Sequence, residues 1–241
     1  MDNRLPYLLT LLPPLPEPGE PLGITLAEAI GRLRQQGGRD LEALAEALEA
    51  EALLRESLEE WVLGPPGSRM VPAALPAQLR ALFDEARVAA LAEDVWVDAV
   101  WKAWFDLVAD AGRSSGSRLL PHWAAWESGL RQRLAANRGA SRAESPPAGP
   151  DGDDAPDLGR LLAAWDTARE RGREGKGLAA AMEAERLLEQ GRLEFLDREA
   201  PRYSFTVDEL AAYLLKLRLL ERQRRHEPAR GRELLRQAAS L

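Results

Sequence analysis

Four glutamates on one stretch, Glu183, Glu185, Glu189 and Glu194, are the side chains best suited by type to do chemistry. Grouped carboxylates can relay protons or hold Mg²⁺. Their spacing argues against both. Residues two apart do not share a helix face, and Arg186 and Arg192 are interleaved with them, so the segment reads as a solvated, charge-laced helix face. His122 has neither a second histidine nor a carboxylate at ligand spacing and reads as a surface or capping residue. Gly172, Gly175 and Gly177 lie among Arg and Lys, yet no strand precedes them and no G-K-[ST] follows, which rejects a phosphate loop. Asp151-Gly-Asp-Asp154 lacks the twelfth-position Glu of a calcium loop. No catalytic, cofactor-binding or metal-binding set is therefore expected.

One charge feature survives this sorting. Arg218, Arg222, Arg224, Arg225, Arg230 and Arg232 cluster near the C-terminus. Such a cluster is either the cationic last turn that complements a helix dipole or the rim of a protein-binding surface. The segment before it holds the most local information. Thr206 and Glu209 have capping-box spacing, and Phe205 and Leu210 stand where a hydrophobic staple would close over the cap. Leu210, Tyr213, Leu214, Leu217 and Leu220 then form a stripe that Ala211, Leu215 and Leu219 widen. A helix so apolar is central in its own domain or half of an interface.

The remaining elements also read as helices. Ala, Leu, Glu and Arg dominate while β-branched and aromatic residues are scarce. Tyr7 to Leu12 is one strand or two helical turns. Thr25 and Glu28 form a second capping box, for a helix ending near Gly37-Gly38. Asp40 is a plausible cap for the next, which runs to Trp61 and stops at Gly64-Pro-Pro-Gly67, and Pro76 suits the first position of a third. Trp101, Trp104 and Val108 face Leu119, Trp123, Trp126 and Leu130 across an expected antiparallel hairpin. Asn137 to Asp157 has no large apolar residue and cannot offset the entropy of ordering itself. Three further helices follow it, with a short terminal one at Glu233 to Ala239. The expected fold is all-α: a bundle of antiparallel helices in two subdomains, 1–136 and 158–241, joined by a flexible linker at 137–157, with packing as one domain left open.

Composition narrows the function classes. The 241 residues carry a formal charge of −7, which weighs against a nucleic-acid partner. Without cysteine there is no disulfide, thiolate zinc site or thiol nucleophile, and with two histidines no His-rich metal site. No stretch approaches the ~20 apolar residues that span a bilayer. Prolines interrupt the apolar run from Leu5 to Leu15 and no A-x-A site follows, so it reads as part of the mature fold. The expected location is the cytoplasm.

Three segments together resemble a known family. Tyr7-Leu-Leu-Thr-Leu-Leu-Pro-Pro-Leu15 resembles the Y-L-L-A-S-L-P-x-L opening of an uncharacterised bacterial family encoded in V-type (A/V-type) ATPase operons. Trp101-Lys-Ala-Trp-Phe-Asp106, then Leu120-Pro-His-Trp-Ala-Ala-Trp-Glu127 and Leu130-Arg131, are similar to its aromatic mid-section. Phe205 to Arg222 is similar to its F-S-x-x-x-L-x-A-Y-L-L-K-L-x-I-L-E-R-W block, although Gln223 replaces the final Trp and Gln132 stands where L-R-N would place Asn. A Y-L-x-K-L-x-x-L-E block also occurs in the C subunit of bacterial V-type ATPases, the eukaryotic d subunit.

The resemblance implies a non-catalytic subunit or assembly factor, an adaptor like the C subunit that couples the central shaft to the membrane rotor ring. Its partners would be V-type ATPase subunits, with no cofactor, no nucleic acid and no membrane-spanning segment of its own. It would lie on the inner face of the membrane through those partners. Tyr213, Leu217, Arg218, Arg222 and Arg225 are the candidate partner-binding residues. A helical scaffold unrelated to rotary ATPases is the alternative, and an enzyme built on Glu183–Glu194 the more distant one.

Overall fold

Capping chemistry and apolar periodicity produce nine helices among the described residues, with no strand: α1 (Arg4–Leu11), α2 (Leu26–Gln36), α3 (Glu42–Leu63), α4 (Ala77–Ala89), α5 (Glu93–Ser115), α6 (Leu119–Gly139), α7 (Ala155–Arg171), α8 (Gly177–Glu199) and α9 (Val207–Arg225). The computed structural model describes residues 4–38, 41–63, 71–89, 93–139, 155–171, 177–200 and 203–225. The expected Asp40 cap, the Gly64–Gly67 stop, most of the 137–157 linker and the terminal helix at Glu233 lie outside those residues. The first apolar segment is helical, not extended. Thr25 caps α2 as its spacing requires: its hydroxyl accepts from the Glu28 amide, and the Glu28 carboxylate accepts from the Thr25 amide at 2.8 Å. Gly37 closes that helix.

The cap of α9 differs from its expected form. Thr206 Oγ1 is 3.5 Å from the Glu209 amide, but the Glu209 carboxylate accepts from Phe205 N at 2.7 Å and Tyr203 N at 2.9 Å. Both of those residues have left-handed backbone, φ 57° at Tyr203 and 51° at Phe205. The staple is consequently not made. Phe205 turns out to 47% exposure while Leu210 is buried.

α5 and α6 form a helical hairpin about Gly116, whose φ of 77° suits glycine. Gly112 lets the two helices approach, because a Cβ there would lie 2.6 Å from Pro121 Cδ and 2.7 Å from Leu120 Cβ. Trp104 and Trp123 meet edge to face at 5.8 Å across the hairpin. Trp104 Nε1 donates to Ala47 O of α3 at 2.9 Å, which satisfies a fully buried indole.

α9 lies at the centre. Leu210, Ala211, Ala212, Leu214, Leu215, Leu217, Leu219 and Leu220 are all buried, so the helix is covered on nearly every side. One hydrophobic cluster runs from Leu8 of α1 through the α5–α6 tryptophans to Leu219 of α9, and so joins both expected subdomains. Several polar residues along α9 hold different neighbours. Asp208 Oδ1 accepts from Ser117 Oγ, Arg118 N and Leu119 N and so caps α6. Tyr213 donates to Pro13 O at 2.8 Å, Lys216 to Asp197 at 2.7 Å, and Glu221 accepts from Leu26 N at the start of α2. No helix among the described residues is long and apolar enough to cross a membrane.

Candidate functional site

A charged side chain on an otherwise apolar stripe must find a partner, because leaving it unpaired in the interior costs several kcal/mol. Among the described residues, stripes on α3, α6, α8 and α9 carry such groups. Glu51 sits with Leu44, Leu48 and Leu58 on α3, Glu127 with Trp123 and Leu130 on α6, and Arg218 with Leu214 and Ala211 on α9. These meet Arg192 and Glu189 of α8 in one buried ionic centre.

Glu127 and Arg192 are its innermost pair, with side chains 3% and 6% exposed. Arg192 Nε and Nη2 each donate to a different Glu127 oxygen at 2.8 Å, the two-pronged geometry a guanidinium makes with a carboxylate. Arg131, one turn along α6, donates to the same carboxylate at 3.3 Å. Burial by itself would raise the Glu127 pKa. Arg192, then Arg131 and Arg222, outweigh burial and hold it at about 2.

Glu51 accepts from Arg55 Nη2 at 2.8 Å and from Arg218. Burial pushes Glu51 upward too, but Arg218 and then Arg55 keep it below the usual carboxylate range. Arg218 lies over the rings of Trp123 and Trp104, at 5.0 and 5.6 Å, and burial pulls its pKa down to about 10 against the attraction of Glu51. Arg222 donates to Glu189 at 3.0 Å. At the edge, the Trp101 ring is flanked by Arg55 at 5.0 Å and Arg131 at 4.0 Å.

Of the candidate partner-binding residues, Leu217 is in the core. Arg218 and Arg222 belong to the ionic centre, and Tyr213 is half-buried with its hydroxyl on Pro13 O and its pKa raised by burial to about 12. Arg225 lies within α9, and its side chain is outside the described residues. Tyr213, Leu217, Arg218 and Arg222 thus hold this chain's own helices together. On α8 the charged face divides: Glu183, Glu185, Arg186 and Glu194 are exposed, whereas Glu189 and Arg192 are buried. The expectation of a wholly solvated face fails there because positions 188, 189, 192, 195 and 196 share the inward side of the helix. His122 pairs with Glu199 of α8 at 3.3 Å and meets the edge of Phe195.

Glu51 and Arg192 belong to no motif, and Glu127 and Arg131, though inside the resemblance segments, are not singled out there as a site. The available signal was their register on apolar stripes. The centre joins two segments of the family resemblance, since Trp101, Trp104, Trp123, Glu127, Arg131, Arg218 and Arg222 all belong to them. Tyr213 ties the third, through Pro13. No protein-family model, curated protein or solved structure matches this chain.

Chemically, Glu51 and Glu127 are held ionised by guanidiniums, which makes them weak bases near neutral pH. Among the described residues no three His, Asp or Glu side chains are grouped to hold a metal ion. A different feature faces solvent. Tyr203 and Phe205, 84% and 47% exposed, are two of the three large hydrophobic side chains described as exposed, beside Tyr7.

Proposed function

We propose that the chain is a non-catalytic helical adaptor that binds another protein, and that its partner is a subunit of a V-type rotary ATPase, the central shaft or the rotor ring. The observation that carries the binding role is the Tyr203-Ser204-Phe205 loop. Left-handed backbone costs an L-residue roughly 1–2 kcal/mol, and here two bulky aromatics adopt it while gaining little burial. The Glu209 carboxylate fixes the loop through both amides. Strain held in this way is characteristic of functional segments, and exposed aromatics on a rigid support suit a protein contact better than a reaction.

The identity of the partner rests on the resemblance of three ordered segments, supported by their convergence around α9. In this reading α9 is the internal spine of the adaptor, and the contact surface includes the loop at its head. A tagged chain purified gently from its host is expected to bring ATPase subunits with it, and Tyr203→Ser/Phe205→Ser is expected to lose them while remaining folded. Copurification of no ATPase subunit would refute the partner; an undiminished yield with the double variant would refute the role of the loop.

A further inference from the structure

The ionic centre does not balance. Among the described residues five guanidiniums, Arg55, Arg131, Arg192, Arg218 and Arg222, are paired with three carboxylates, Glu51, Glu127 and Glu189. Glu185, whose charge also reaches Arg192, is exposed on the same face of α8 one turn before Glu189. Arg222 Nη2 is buried and has no acceptor among the described residues, and Arg131 gives only its Nε to Glu127. Arg192 and Arg218, with side chains 6% and 13% exposed, are shut away from solvent, while Arg55, Arg131 and Arg222, at 36%, 27% and 21%, reach it. Trp101 lies between Arg55 and Arg131 and orients both forks. A concentrated positive charge at this point stands against a chain whose formal charge is −7.

We propose that Arg55, Arg131 and Arg222, set around Trp101 and the ionic centre, form a docking site for the carboxylate side chains of an acidic segment on a partner protein. The chemistry follows from the donors. Planar guanidinium forks match carboxylates two-pronged, and a site already partly desolvated strengthens each such bond relative to water. An incoming carboxylate gives the solvent-facing edges of Arg55 and Arg131 a further acceptor and relieves repulsion among the arginines, which lowers the proton affinity of Arg131 and Arg222 in the free chain in addition to burial. The site deepens the adaptor reading and rests on it for the existence of a partner, though not for the partner's identity.

The test is titration of the full chain with hexaglutamate, hexaglutamine and inorganic phosphate, followed by tryptophan fluorescence, with Trp101→Phe to assign the signal. Hexaglutamate is expected to bind with an affinity that falls as salt rises, and at least tenfold more weakly to Arg55→Gln and Arg131→Gln. Arg131→Lys, which keeps the charge but not the fork, is expected to lie between. Arg55 is the most exposed of the three, so Arg55→Gln remains informative if Arg131→Gln unfolds. Absence of hexaglutamate binding, equal binding of hexaglutamine, or binding unchanged in Arg55→Gln would overturn the proposal. Phosphate binding as tightly as hexaglutamate would assign the site to a free ion and overturn the acidic segment. Hexaglutamate binding without ATPase copurification rejects the ATPase partner alone, and ATPase copurification unaffected by Arg55→Gln rejects this site alone.

Discussion

Removing the charge of Glu127 while keeping its shape is the sharpest perturbation of this fold. Glu127→Gln leaves Arg192, with 6% of its side chain exposed, facing a neutral amide. Breaking one partner of a buried pair costs about 3–5 kcal/mol, because the remaining charge is left uncompensated. The proton linkage of Glu127 gives a similar magnitude. Its carboxyl is depressed from an ordinary 4.5 to about 2, and at about 1.4 kcal/mol per tenfold change in proton affinity this is worth about 3 kcal/mol. A depressed folded-state pKa contributes stability in full above 4.5 and loses it as pH falls toward 2. Urea unfolding of both proteins, read by circular dichroism and tryptophan fluorescence at pH 7, 4.5 and 3.5, tests both statements. The variant is expected to be less stable by about 3 kcal/mol at pH 7, with the gap narrowing at pH 3.5. Adding Arg192→Met is expected to recover much of the loss, since the uncompensated charge is then gone. A difference below about 1 kcal/mol at pH 7, or one that does not shrink in acid, would refute the electrostatic account.

Asp208→Ala removes the single acceptor shared by Ser117, Arg118 and Leu119. A loss of about 1–2 kcal/mol in urea melts is expected, with amide exchange accelerated first at the start of α6. Gly112→Ala places a methyl against Pro121 and Leu120, both too constrained to move aside. It is expected to cost about 1–3 kcal/mol, seen as a lowered Tm, although alanine is the better helix former. Phe205→Gly has the opposite sign: it relieves left-handed strain at a half-exposed position and is expected to stabilise the free chain by about 1 kcal/mol while weakening partner capture. A destabilised Phe205→Gly variant would show that the aromatic ring supports the fold itself.

The resolution of α9 shows how local and distant information divide. Its apolar width showed that it must be covered, but two kinds of cover would serve, a partner or the rest of the chain. The structure places Leu217 in the core and Arg218 on Glu51, and the second alternative holds for this helix. Glu51 and Arg218 are 167 positions apart, and no local pattern pairs them. The cap of α9 makes a similar point at short range. The T-x-x-E spacing identified where the helix begins, but the Glu209 carboxylate bonds Phe205 and Tyr203 instead of the Thr206 amide, and that reversed the expected burial of Phe205.

Helical content, the Thr25 capping box, the tryptophan hairpin and the lack of cysteine chemistry were all determined by the order of residues, because each depends on neighbours within a turn or two or on composition itself. The pairing of Glu127 with Arg192, the surplus of guanidinium over carboxylate, and the outward turn of Tyr203 and Phe205 were decided only by the tertiary structure. Charge compensation in a core is set by which helices meet and at what depth, and that is a property of the whole packed chain.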